Sequence, residues 1–303
     1  MAGKARIAVI GAGLMGHGIA QVFALAGHDI TITDAHKPTL DSALSRISTN
    51  LRDLGDDEKA VSRVKPVADL AACVRDADYV VEAILEDMPL KQKTFAEIEQ
   101  HVRPNTILAS NTSVMPITEI MQGLKHRERA LGTHWWNPPF LVPLVEVIGT
   151  QWTSQAAIDF TMKLHADAGK QPAHVKKDVP GFIGNRLQHA LWREAVFLAR
   201  EGVASVADID RAMTGALGIR WALMGPHTTF HLAGGAGGME GFVKNLGPAV
   251  ESWWADLGDA TLDDETRRVL VDGMAETEGR DVEALARARN AALLRMLALD
   301  RSV

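Results

Sequence analysis

The stretch "RIAVIGAGLMGHGIA" (residues 6–20) reads as a short β-branched strand that runs directly into glycines and then into a helix with apolar spacing. Gly11, Gly13 and Gly16 fit G-x-G-x-x-G, with Ala12, Leu14 and Met15 between them. Glycines also serve plain turns, so position decides the reading. Asp34 lies 23 positions after Gly11, at the end of "HDITITDA" (residues 28–35), an alternating second strand. In a strand–turn–helix unit the first two glycines make the tight turn and let backbone approach a pyrophosphate. The helix N-terminus then receives that charge with free amides and its dipole. Asp34 would accept bonds from ribose hydroxyls and repel a 2′-phosphate, and Ala35 and His36 follow it where an arginine would suit NADP. The predicted cofactor is NAD, held by Gly11, Gly13, Leu14, Met15, Gly16 and Asp34.

Outward from this unit the chain keeps alternating. Pro38 suits the first turn of a helix running to about Arg52. Further strands are expected at "YVVEAI" (residues 79–84), "TILAS" (106–110), "ALGTHWW" (130–136) and "PLVEVI" (143–148), with helical patterns between most of them. Strands alternating with helices predict an α/β fold with a Rossmann-type, doubly wound parallel sheet. After "KKDVPGFIGN" (residues 176–185) the pattern changes: Leu187, Leu191, Ala195 and Leu198 share one helix face, Gly202 suits a C-cap, and "SVAD" (205–208) resembles a capping box. No convincing strand follows. The expected domains are a nucleotide-binding domain over residues 1–180 and a smaller all-α domain over 181–303.

The 303 residues suit two domains, and a composition 47% apolar and 23% charged supports a sizeable core. A net charge of −6 gives no footprint for nucleic acid. Cys73 is the only cysteine, so an internal disulfide is excluded and a reducing compartment is expected. Lys4 and Arg6 before a mostly apolar stretch loosely resemble a secretion signal, but four glycines between Gly11 and Gly18 argue against it. No stretch reaches the ~20 apolar residues that a membrane span needs. The expectation is a soluble cytoplasmic protein with no metal.

The chemistry concentrates in "THWWNPPFLVPLVEVI" (residues 133–148), an apolar strand pattern whose only acid is Glu146. Oxidising a secondary alcohol needs a base for the hydroxyl proton, and histidine, with an ordinary pKa of about 6.5, is well matched to that task. A carboxylate on the far ring nitrogen would fix the tautomer and stabilise the imidazolium. His134 and Glu146 are therefore the candidate pair, against the alternatives of a structural histidine and of a glutamate paired with some buried cation.

The set "IAVIGAGLMGHGIA", "DADYVVEAILEDMPLK", "ASNTS", "HWWNPPFLVPLVEVI" and "KKDVPGFIGNRL" resembles the L-3-hydroxyacyl-CoA dehydrogenase superfamily in order and spacing over roughly residues 6–200. The resemblance implies His134 as catalytic base, Glu146 as its anchor, and Ser113 and Asn185 on the substrate oxygen. It also implies cofactor contacts from Glu86, Lys91 and Ser113, with Asn137 near the carboxamide, and a homodimer built through the helical domain. Superfamily members that use coenzyme A thioesters carry a longer, lysine-bearing helical hairpin between the second and fourth strands. Here that interval is short and holds "DLGDDEK" (residues 53–59), whose acids would repel CoA phosphates.

"LGIRWALMGPHTTFHLAGGAGGM" (residues 217–239) and "GPAVESWW" (247–254) are similar to the branch that handles small β-hydroxy carboxylates, carnitine-like or gulonate-like, or descends from such enzymes, as lambda-crystallin does. Such a substrate needs a cation, and Arg220 is the candidate. Its alternative is a solvated surface arginine. The chain has seven tryptophans against one tyrosine; Trp135, Trp136, Trp221, Trp253 and Trp254 could line a substrate pocket, Trp135 and Trp221 being the named substrate contacts, and a quaternary ammonium would suit tryptophan faces. Three functions follow: a dehydrogenase of a free 3-hydroxy acid, a 3-hydroxyacyl-CoA dehydrogenase, and a crystallin-like structural or NAD-sensing protein.

Overall fold

The glycine-rich stretch joins β1 (Arg6–Ile10) to α1 (Leu14–Leu25), and β2 (Asp29–Thr33) follows alongside β1 in parallel. The computed structural model describes residues 4–277 and 281–299. The remaining strands are β3 (Val64–Pro66), β4 (Tyr79–Glu82), β5 (Ile107–Ser110), β6 (Ala130–Trp135), β7 (Leu144–Ile148) and β8 (Gln171–Val175), in the order β3-β2-β1-β4-β5-β6-β7-β8. The intervening helices are α2 (Lys37–Asp41), α3 (Ala43–Leu54), α4 (Leu70–Val74), α5 (Met88–His101), α6 (Ile117–Met121) and α7 (Gln155–Asp167). Alternate strand residues point to opposite faces, so Ile7 and Val9 join one buried cluster and Ala8 and Ile10 the other.

The structure departs from the sequence expectation at several elements. β7 runs antiparallel to β6, because residues 136–143 are too few for a helical crossover. The edge strands β3 and β8 carry no apolar alternation in sequence; Pro66 and Pro172 are tolerated there because the residues beside them, Val67 and Gln171, donate into the sheet and each proline's missing donor falls on the open edge. The helix expected over residues 38–52 is two helices. At their junction the Thr39 carbonyl accepts from Ser42 Oγ at 3.1 Å and from Arg46 at 2.8 Å, which draws it out of the helical ladder. Cys73 lies buried in α4, where desolvation pushes its thiol up to about 11, so it stays protonated.

The chain divides into two compact units at Arg186/Leu187. Helix α8 (Gly184–Arg200) carries it into the second, followed by α9 (Val206–Ala212), α10 (Gly218–Trp221), α11 (Pro226–Ala233), α12 (Gly238–Asp256), α13 (Asp264–Thr277) and α14 (Val282–Leu297). Ser205 caps α9 as expected, accepting from the Asp208 amide. No strand occurs among the described residues of this unit.

His165, at the end of α7, sits fully buried against Phe23, Tyr79 and Trp135. Desolvation holds its pKa down at about 4, against a backbone bond to Thr161 that raises it. An unfolded chain binds this proton near pH 6.5, so stability should fall as pH drops from 6.5 toward 4. From pH 7 to pH 5 the loss from this group is about 2 kcal/mol. Urea midpoints of the wild type and of His165→Phe test this: the variant should lose that pH slope, and an unchanged slope would exclude His165 as its source.

Candidate active site

The carboxyl ends of β1, β4, β5 and β6 lie along one edge of the parallel sheet, where open α/β folds receive ligands. At the β1 end, Gly11 has φ +97°, and a Cβ there would lie 2.5 Å from the Ala83 oxygen. A Cβ on Gly16 would lie 1.7 Å from the Gly11 oxygen, so both glycines are steric requirements of the turn. Gly13 faces open space, and α1 has no side-chain cap, which leaves its first-turn amides available to an anion. Asp34 fixes the loop by accepting from Ala12 N at 2.7 Å and from His36 N at 2.8 Å. The adjoining cleft has a volume of about 730 Å³ and is lined by Gly11, Gly13, Leu14, Met15, Asp34 and Ile84 among others. This space and donor set fit the adenosine and pyrophosphate portion of a dinucleotide.

Arg46, from α3, was not singled out in sequence; its guanidinium holds the loop from below, donating to Ala12 O at 2.6 Å and to Thr39 O at 2.8 Å. Desolvation lowers its pKa while Asp34 raises it. His17, the histidine among the glycines, is buried with Nδ1 2.6 Å from Gly13 O, and burial lowers its pKa.

Between the glycine loop and β6, a buried network ties the β4 and β5 loops together. Glu82, the last residue of β4, accepts from Lys91 Nζ, from Ser110 Oγ, each at 2.6 Å, and from Ile84 N at 2.7 Å. Lys91 is 1% exposed and also lies 3.4 Å from Glu86, so it supports the loop beneath Glu86 and offers no open ammonium. Glu86 in turn accepts from Thr112 Oγ1 and Ser113 N, both at 2.8 Å. Asn185 Nδ2 donates to Ser113 O at 3.2 Å, which brings two of the expected oxygen-binding residues together. Glu82 is not among the residues expected from sequence, although a charge inside the apolar run "YVVEAI" is the same signal that points to Glu146.

The antiparallel register sets His134 directly opposite Glu146. His134 Nδ1 and Glu146 Oε2 are 2.8 Å apart and buried. Glu146 Oε1 accepts from Ile183 N at 2.8 Å and Gly184 N at 2.9 Å, from the turn that opens α8. Desolvation pushes the Glu146 carboxyl up, but the bonds from His134, Gly184 and Ile183 outweigh it and its pKa is lowered. An ionised carboxylate only accepts, so His134 Nδ1 carries a proton and Nε2 is left as an acceptor that no group among the described residues occupies. The ring packs against Trp136 at 5.1 Å and Phe182 at 5.6 Å. Gly184 is required here, because a Cβ would lie 2.3 Å from Trp136.

Trp135 is a correction. Strand alternation turns its indole to the opposite face from His134, where it packs on Phe23 at 5.5 Å and His165 at 5.2 Å and is 2% exposed. It lines no pocket on the His134 side. Asn137 is exposed just beyond β6. Arg220 and Trp221 belong to α10 of the second unit, outside the group that the first unit assembles; Arg220 is exposed, with its Nε on Ala216 O at 3.2 Å. No cluster able to hold a metal occurs among the described residues.

A Rossmann sheet with a glycine-rich first turn, an aspartate at the second strand and a carboxylate-anchored histidine defines a nicotinamide-dependent oxidoreductase. Residues 6–179 match the 3-hydroxyacyl-CoA dehydrogenase NAD binding domain, and residues 181–271 match the 3-hydroxyacyl-CoA dehydrogenase C-terminal domain. The chain belongs to the 3-hydroxyacyl-CoA dehydrogenase family, and it is an NAD-dependent dehydrogenase acting on a CH–OH group. It is 37% identical to the L-carnitine dehydrogenase of Streptomyces coelicolor, over 96% of this chain and 93% of that one. Against the L-carnitine dehydrogenase of Pseudomonas aeruginosa the identity is 38%, covering 97% and 93%. Among solved structures, the NAD+ dependent dismutase 5-formyl-3-hydroxy-2-methylpyridine 4-carboxylic acid 5-dehydrogenase superposes with a TM-score of 0.82 at 28% identity, covering 98% of this chain and 100% of that one. The (S)-3-hydroxybutyryl-CoA dehydrogenase of Ralstonia eutropha gives 0.68 at 28% identity, covering 90% and 93%. Among the described residues no helix is long and apolar enough to cross a membrane.

Proposed function

We propose that the chain oxidises a small free 3-hydroxy carboxylate, carnitine-like or gulonate-like, to the 3-oxo acid. The observation that carries this reading is the buried His134–Glu146 pair, which leaves one imidazole nitrogen open. His134 Nε2 takes the hydroxyl proton, and Glu146 stabilises the imidazolium that forms. Ser113 and Asn185 bind the substrate oxygen and steady its developing charge. Gly11, Gly13, Leu14, Met15, Gly16 and Asp34 hold the adenosine and pyrophosphate end of the cofactor, Glu86 over its buried Lys91 meets the nicotinamide ribose, and Asn137 the carboxamide. Bound NAD supplies the hydride acceptor.

Two features favour a free acid over a CoA thioester. The full-length likeness to L-carnitine dehydrogenases spans both domains. In addition, α3 ends at Leu54 and is followed by exposed Asp56, Asp57 and Glu58, with Arg52 already on Glu58 at 3.3 Å, so this surface presents acids where CoA phosphates would need cations. Arg220, whose terminal guanidinium nitrogens have no partner among the described residues, serves the substrate carboxylate, and Trp221 lies next to it on α10.

The working form is a cytoplasmic homodimer. Its support is the helical unit, where Leu187 is 60%, Val243 56%, Trp253 63% and Trp254 67% exposed. Large apolar side chains left this exposed favour a covering partner.

An NADH-absorbance assay over both enantiomers of carnitine, gulonate, free 3-hydroxybutyrate and 3-hydroxybutyryl-CoA tests the substrate class. Turnover of a free acid with kcat/KM above that of the thioester is expected. Activity on the thioester alone would overturn the reading.

A further inference from the structure

Lys170 is 9% exposed, and the partners of its ammonium among the described residues are backbone carbonyls, not a carboxylate. A buried ammonium without a counter-ion is costly, and it persists where its donors satisfy other groups. Here the groups are backbone carbonyls. Lys170 Nζ donates to Pro139 O and, at 3.0 Å, to Val142 O, and it lies 5.3 Å from the centre of the Trp135 indole. Both carbonyls belong to the connection between β6 and β7, which includes Asn137 and leaves the sheet one ladder position beyond the His134–Glu146 pair.

That connection is a single helical turn, with Leu141 N and Val142 N both bonded to Pro138 O at 3.0 Å. Such a turn leaves carbonyls without donors from within the turn itself. Lys170 is placed to cap them because Gly169, at φ +77°, ends α7 in the left-handed conformation and Gln171 N then bonds to Pro143 O at 2.8 Å. On its outer side the turn presses on α1, where a Cβ on Gly18 would lie 2.5 Å from Pro139 Cγ. The turn is thus held between the nucleotide-binding helix and one buried cation.

We propose that Lys170 is a positioning residue for the dehydrogenation: by clamping the Pro139 and Val142 carbonyls it fixes Asn137 against the nicotinamide end of the cofactor. This rests on the reading of Asn137 as the carboxamide contact. Lys170 itself touches neither substrate nor cofactor, so its removal should leave the adenosine half of the site intact.

The test separates the two halves of the cofactor. Lys170→Met should bind ADP-ribose within about twofold of wild type while NAD affinity falls about tenfold and kcat falls about 10–100-fold, the scale of a displaced positioning group. Lys170→Arg, which keeps two donors and the charge, should restore most of the loss. On an Asn137→Ala background Lys170→Met should add little, because both changes act on one contact. If Lys170→Met does not fold, Lys170→Gln takes its place. A folded variant with unchanged NAD affinity and kcat would overturn the proposal. So would equal weakening of ADP-ribose and NAD with a collapse in Tm, which marks a structural role alone. Cofactor binding needs no hydroxy acid, so an error in the substrate class shows in wild-type turnover and leaves these arms readable.

Discussion

Replacing His134 by alanine is expected to lower kcat by roughly 10²–10⁴-fold, the usual scale for loss of a general base, with NAD affinity little changed. The glycine loop and Asp34 hold the cofactor through contacts that do not involve the imidazole. In the wild type, Glu146 is ionised and accepts the Nδ1 proton, so the open Nε2 is the proton acceptor. Glu146, with its carboxyl held below the ordinary range, remains an acceptor well below neutrality. Steady-state kinetics with NADH absorbance, paired with NAD titration, check the result. Near-normal turnover in a folded His134→Ala protein would remove His134 from the mechanism.

Glu146→Gln should be nearly as damaging, by about 10²–10⁴-fold in kcat, because an amide cannot serve three donors as the carboxylate does. Glu146 accepts from His134 on one oxygen and from Ile183 N and Gly184 N on the other. A glutamine turned to satisfy the two backbone amides presents its NH₂ group to His134 and favours the tautomer whose Nε2 carries the proton. Turned the other way, it leaves two buried amides facing a donor, at about 1–3 kcal/mol each. A second consequence follows for stability. A carboxylate whose pKa is lowered by folding contributes stability that is present above its unfolded value and is lost as pH falls through the folded one. The variant should therefore unfold at lower urea than wild type at pH 7 and lose part of the acid-side slope. Equal urea midpoints together with unaltered kcat would show that the carboxylate anchors nothing.

The pair was legible in sequence because a carboxylate in the middle of "PLVEVI" has no solvent to face, and a charge there demands a partner. The same argument applied to "YVVEAI" would have found Glu82 and its bonds to Lys91 and Ser110. Lys170 and Arg46 gave no comparable sign, since a lysine after a helix-ending glycine and an arginine on an amphipathic helix look like ordinary surface residues. Ala12 O for Arg46, and Pro139 O and Val142 O for Lys170, are backbone carbonyls of distant loops, which no side-chain pattern reveals. Trp135 misled for a related reason: adjacent tryptophans in a strand point to opposite faces, and only the packing shows which face holds the site.

By itself the sequence determined the strand–glycine turn–helix unit, the alternating architecture that follows it, and the change to helices near residue 180. These are local matters: backbone conformations that only glycine tolerates, and apolar periods of two or three to four residues, act within a few neighbours along the chain. Only the tertiary structure decided that β7 turns back antiparallel, that His134 meets Glu146 in register, and that Glu146 also reaches the α8 turn. Those contacts join residues far apart in sequence, and they exist because the sheet brings buried polar groups close enough to satisfy one another where water cannot.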